Sequence, residues 1–282
     1  MAQADGPGPA RSAMSGGRNL TWAVATAVLL AALFLISAFV NAWALLSFIA
    51  VIVVLAVLEV DAALRTTDVR PPTMVVLAAG VPMLAAAYVY GASGQLVALV
   101  AMVVGVVVWV VADRRDPAPV RSAGAALLIG LWVPFLASFL ALLLRRPDGH
   151  WFIIITVALT AASDIAAYAV GSRFGRHKLA PAVSPGKTWE GAAGGAVAAM
   201  VVAGVAAPLL VAQLSPARAI ALGGLVAVVA VAGDLAESAV KRSLGVKDLG
   251  RLLPGHGGIM DRVDAMLFTL PVAHLVLLAG RL

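Results

Sequence analysis

An all-α, polytopic integral membrane bundle of about nine transmembrane helices, N-terminus cytoplasmic, follows from three features of this 282-residue chain. Hydrophobic residues make up 62% and charged residues 12%, roughly half the charged share of a soluble domain. A mean hydropathy of +1.01 leaves too little polar surface to cover a globule of this size, which excludes an ordinary soluble enzyme. The apolar residues fall in continuous runs that match the span of a bilayer, about 20 residues each. The alternating segments of an outer-membrane barrel are not seen. There is no cysteine, so disulfides, thiol catalysis and cysteine-ligated metal centres are excluded. The net charge of +6 suits anionic lipid and not nucleic acid.

Residues 1–19 are rich in Gly, Pro, Ser and Ala and have no apolar period, so a disordered cytoplasmic tail is expected there. Residues 20–282 are read as one membrane-embedded domain. The run from Leu20 to Val40 exceeds a signal-peptide core and is followed by more spans, so it is the first transmembrane helix. The remaining runs cover 42–60, 73–90, 95–112, 122–144, 151–171, 191–212, 217–236 and 264–280. Their many Ala and Gly residues suit close helix packing. With the N-terminus inside, only Arg145, Arg146, Arg218 and Arg281 fall outside, against the other sixteen of 20 basic residues. That bias supports nine spans in the cell membrane and puts the two longest polar loops, near 172–190 and 237–263, on the cytoplasmic face.

Ionisable groups within spans are costly, which makes them candidates for function. Asp164 lies inside the sixth run, Asp234 and Glu237 at the inner end of the eighth, and Asp261 and Asp264 at the start of the ninth. If the eighth helix continues past the membrane edge, Asp234, Ser238 and Lys241 share one face. Between these acids runs a basic loop ending in Pro254-Gly255-His256-Gly257-Gly258, whose glycines permit close backbone approach and positive φ. Hard carboxylates from two helices, beside several cations and a Gly-rich turn, suit a magnesium-bound phosphate ligand.

The other loop reads Ser184-Pro185-Gly186-Lys187-Thr188-Trp189-Glu190-Gly191. A P-loop is rejected, because Pro181 stands where a glycine is required and no strand is expected to precede it. A helix start is expected instead, capped by Thr188 or Ser184 with Pro185 in the first turn, its N–H groups and Lys187 facing phosphate. His256 can donate to phosphate from the Gly-rich turn, while His177 and His274 are expected to face the interface or a neighbouring helix. No two histidines have zinc-ligand spacing.

Ser238-Ala239-Val240-Lys241-Arg242, Lys247-Asp248 and Pro254 through Asp264, ending Met260-Asp261-Arg262-Val263-Asp264, resemble the signature of the phosphatidate cytidylyltransferase (CDP-diacylglycerol synthase) family. The Ser184–Gly191 loop and the segment around Asp164 are similar to that family's other shared stretches. The resemblance implies the reaction CTP + phosphatidate → CDP-diacylglycerol + pyrophosphate in phospholipid biosynthesis. It also implies a requirement for magnesium, with a monovalent cation such as potassium, and a homodimer. By position it implies that Asp234 and Asp261 are metal ligands and, with Lys241, catalytic. Ser184, Lys187, Thr188, Ser238, Arg242, Lys247, Asp248, His256, Gly257, Gly258 and Arg262 are then expected around the substrates. Asp164, Glu190, Glu237 and Asp264 are expected to support them. Ala265 departs from the pattern, standing where the family often has serine.

The lipid phosphate is itself the nucleophile, so no serine or cysteine nucleophile is needed, and the difficulty is electrostatic: one anion must attack another. Two alternatives fit less well. A CTP-dependent polyprenol or lipid kinase would transfer the γ-phosphoryl group, and an ion-coupled secondary transporter would show inverted repeats, which are not apparent.

Overall fold

The structure is a computed structural model and describes residues 16–67, 69–211, 214–250 and 257–279. Most of the expected tail lies outside the described residues. Its last part does not behave as a tail: α1 (Gly16–Val40) takes in Gly16 to Asn19. The chain continues through α2 (Ala42–Leu64), α3 (Thr73–Tyr90), α4 (Ala92–Ala112), α5 (Pro119–Gly130) and α6 (Leu136–Leu144). Then follow α7 (Gly149–Phe174), β1 (Lys178–Ala180), β2 (Ser184–Thr188), α8 (Trp189–Leu210), α9 (Pro216–Ser243) and α10 (Met260–Ala279). A π-helical turn at Leu131–Phe135 joins α5 and α6 into one rod and accommodates Pro134, which has no N–H to give to the helical ladder. Eight of the described rods are long and apolar enough to cross a membrane, and α1 carries the shorter apolar stretch Val24–Val40.

Local chemistry sets the helix starts. Asn41 accepts the Ala44 N–H at 2.8 Å to open α2, and Ser215 caps α9 just before Pro216. Large apolar side chains remain exposed along α4, among them Val97, Val100, Val104, Val107 and Val111, as a lipid-facing helix requires. The small residues do act as packing surface. A Cβ at Gly195 would lie 2.7 Å from the Ser163 carbonyl oxygen, and one at Gly223 2.6 Å from that of Ala199, so α7, α8 and α9 meet backbone to backbone.

The stretch Ser184–Thr188 departs from expectation. It is the second strand of an antiparallel hairpin, pairing Thr188 with Lys178 and Ser184 with Ala180. Pro185 therefore sits in a strand and not in a first helical turn, a position tolerated because a two-stranded ribbon is all edge. Thr188 is the α8 cap, accepting the Gly191 N–H at 3.1 Å. A strand thus does precede α8, yet Pro181 still denies it a phosphate-wrapping loop. At the other end of the bundle, Arg145 donates to the Tyr88 carbonyl at 2.7 Å and Arg146 pairs with Asp148 at 3.3 Å. These two charges, which run against the positive-inside bias, are thereby engaged locally.

Candidate active site

α7 and α9 both end, and α8 and α10 both begin, at the same end of the bundle, so the hairpin and the segment after α9 come together there. They roof a cavity of about 560 Å³ that penetrates between α7, α8, α9 and α10. α7 contributes Thr160, Asp164 and Tyr168, the hairpin Ser184 and Lys187, and α9 Asp234, Glu237 and Lys241. α10 contributes Asp261, Arg262 and Asp264. At depth, the hydroxyls of Thr160 and Thr269 lie 3.2 Å apart and tie α7 to α10. On the flank, Asp164 and Tyr168 are exposed, so the cavity wall is open to the side of the bundle.

The charges form two joined groups. Lys187 Nζ reaches from the hairpin to Asp234 Oδ2 at 2.5 Å, and Ser238 Oγ donates to Asp234 Oδ1 at 3.3 Å. Lys241 Nζ bridges Glu237 Oε2 at 2.5 Å and Asp261 Oδ1 at 2.9 Å, pairing α9 with α10. Asp261 also accepts the N–H groups of Gly258 at 2.7 Å and Leu249 at 3.4 Å, which fastens the Gly-rich turn to the helix start. Gly257 there has φ +81, and a Cβ would come 2.9 Å from Asp261 Oδ2, so the turn needs glycine on both counts. Asp234, Glu237 and Asp264 offer carboxylate oxygens that all lie within 4.8 Å of one another. Glu237 Oε1 is buried and has no hydrogen-bond partner among the described residues. Three ionised carboxylates gathered this closely repel, and beyond the two lysines a shared proton or a bound cation would relieve them.

Residues 21–279 match the cytidylyltransferase family. The chain belongs to that family. Over 286 aligned residues it is 34% identical to the phosphatidate cytidylyltransferase of Mycobacterium bovis, covering 95% of this chain and 92% of that protein. It is equally similar to the enzyme of that name from Mycobacterium tuberculosis, there covering 85% of the relative. Over 150 residues it is 48% identical to the phosphatidate cytidylyltransferase of Brucella suis, about half of each chain.

Asp234, Ser238 and Lys241 do share a face, because α9 continues to Ser243. The cavity brings together Asp164, Ser184, Lys187, Thr188, Asp234, Glu237, Lys241, Asp248, Asp261, Arg262 and Asp264. Ala265 also lines it, so its methyl group stands where a hydroxyl would face the cavity. Other expected residues stand apart from the lining. Arg242 is exposed and donates to the Val183 carbonyl at 3.4 Å, clasping the hairpin, and Lys247 is exposed beyond the rim. Glu190 turns away to receive the His177 and Arg176 N–H groups and the His177 ring at 2.6 Å, closing the root of the hairpin. Gly257 and Gly258 shape the turn behind Asp261, while His256 lies outside the described residues. Asp261, expected beside Asp234, is engaged by Lys241 and the turn, and Asp264 is the α10 acid that meets Asp234.

Two features carried no flag in the sequence reading. Tyr168 puts an aromatic ring on the open flank of the cavity. Glu59 reaches from α2 to the start of α10, accepting the Met260 N–H at 2.9 Å. Its signal was present, since it is the one charge inside the second apolar run.

Proposed function

We propose that this protein transfers the cytidylyl group of CTP to phosphatidate, giving CDP-diacylglycerol and pyrophosphate, at the cytoplasmic face of the cell membrane. The observation that carries this reading is the convergence of the two polar loops on one cavity at the membrane edge, through Lys187 to Asp234 and Lys241 to Asp261, in a chain of the cytidylyltransferase family. Such a cavity meets both solvents the reaction needs. CTP arrives from water past the hairpin, and phosphatidate arrives along the exposed flank of α7 with its acyl chains still in lipid. The basic-residue bias supports the cytoplasmic orientation.

Magnesium fits the donor set. Asp234, Glu237 and Asp264 would hold it, hard oxygen ligands with one buried carboxylate oxygen that has no partner among the described residues. When bound, it would supply positive charge against the phosphate oxygens. Lys187 and Lys241 each hold a carboxylate, and both lie where they can turn to phosphate oxygens once a triphosphate enters. Asp261 keeps Lys241 aimed into the cavity, and Arg262 adds positive charge on the same wall. The phosphate of phosphatidate attacks the α-phosphorus and pyrophosphate departs, so the α9–α10 wall must neutralise both anions together. A potassium ion and a homodimer, both implied by family resemblance, complete the proposal.

Purified protein in phosphatidate–detergent micelles with magnesium is incubated with CTP labelled at either the α- or the γ-phosphate. Label from the α-position alone, appearing in the organic phase only with phosphatidate present, is the expected result. Lipid label from the γ-position would instead identify a kinase, and no transfer from either position would leave transport.

A further inference from the structure

Glu59 lies near the end of α2, 9% exposed, and its Oε2 accepts the N–H of Met260 from 201 residues away in sequence. Met260 opens α10, so this N–H is among those that find no acceptor within their own helix. A cap side chain from the adjoining loop usually fills that role. Here a carboxylate from another helix does so, with its negative charge at the positive end of the α10 dipole. The turn it anchors carries Asp261, Arg262 and Asp264.

Two backbone contacts make the placement specific. A Cβ at Gly250 would overlap Glu59 Cδ and Oε1, and a Cβ at Gly258 would overlap Oε2. Gly250 and Gly258 thus both close over this one carboxylate, and a side chain at either position would push it from its place. Among the described residues Glu59 Oε1 is buried with no hydrogen-bond partner, so this carboxylate is held here at a cost in desolvation.

We propose that Glu59 is a positioning residue for cytidylyl transfer. It holds the start of α10 and the turn before it at the depth where Asp261 meets Lys241 and Asp264 meets Glu237. It touches no substrate and acts through Met260, an assignment that rests on the site described under the proposed function.

The test compares E59A, E59Q and D261N as purified full-length proteins, reading kcat, KM for CTP and thermal unfolding. E59A is expected to lower kcat by ~100-fold, as a displaced catalytic turn does, with KM and melting temperature close to wild type. E59Q keeps an oxygen for the Met260 N–H and the same volume, so its kcat is expected within ~10-fold of wild type and above that of E59A. If E59A is not recovered folded, Gly250→Ala probes the same contact from the opposite side and is expected to lower kcat with Glu59 intact. The inference is overturned if folded E59A or Gly250→Ala keeps wild-type kcat, if E59Q is as slow as E59A, or if lost activity only tracks lost folded protein. Should D261N be fully active, the site reading itself fails. An inactive D261N beside a fully active E59A sinks this inference alone.

Discussion

Asp61 on α2 and Asp264 on α10 are equally buried, each 8% exposed, and both lie toward the polar end of the bundle. Their surroundings differ. Asp61 borders a smaller cavity of about 250 Å³, but both its oxygens are matched, one receiving the Thr73 hydroxyl at 2.6 Å and the other Arg65 Nε at 2.7 Å. Elsewhere in the α1–α6 half, Gln95 donates to the Ser138 hydroxyl at 2.7 Å in the same one-to-one manner. Asp264 instead faces two further carboxylates, Asp234 and Glu237, with Lys187 and Lys241 at the edges of the group and an open cavity beside it. The contrast teaches that an ionisable residue within a membrane span marks chemistry where like charges from different helices are gathered around space. A carboxylate matched to one cation and one hydroxyl is scaffold.

Charge removal in the two halves tests that contrast. Outside the three gathered acids, the largest effect is expected from Asp261→Asn, which frees Lys241 and loosens the Gly-rich turn. Turnover should fall by ~100-fold or more, about 3 kcal/mol, with the protein still folded in detergent, and near-normal turnover would remove Asp261 from the site. Lys241→Ala comes next, at roughly 10- to 150-fold, or about 1.5–3 kcal/mol for one charge-assisted contact. An unchanged rate there would reduce Lys241 to a surface charge. The smallest effect is expected from Arg65→Ala in the other half. Its guanidinium is half exposed and Asp61 keeps the Thr73 hydroxyl, so stability should drop by no more than ~1 kcal/mol and activity should hold. A large activity loss in that variant would erase the distinction between the halves.

Much of this was legible because run length and charge bias are one-dimensional properties. The expected spans 73–90 and 122–144 reappear in Thr73–Tyr90 and within Pro119–Leu144. The shared face of Asp234, Ser238 and Lys241 needed only the continuation of α9. What escaped depends on contacts distant in sequence or on where a helix begins. Because α10 starts at Met260, Asp261 turns back to its own loop while Asp264, nearly a turn further in, reaches the α9 acids. The hairpin was hidden because Ser-Pro-Gly reads as a helix entrance until Lys178–Ala180 is seen to pair with it. Glu59 stands out as the one charge in its apolar run, but its partner is a backbone N–H, which leaves no pattern in side-chain spacing to say what it meets.

The most direct measurement compares Asp264→Asn with Asp61→Asn, two equally buried carboxylates, for transfer of α-phosphate label from CTP into phosphatidate-containing micelles with magnesium. The expected result is transfer lost in Asp264→Asn and retained in Asp61→Asn, both proteins being folded. Equal loss in the two variants, or the reverse order, would contradict a reaction site formed by the gathered acids of α9 and α10.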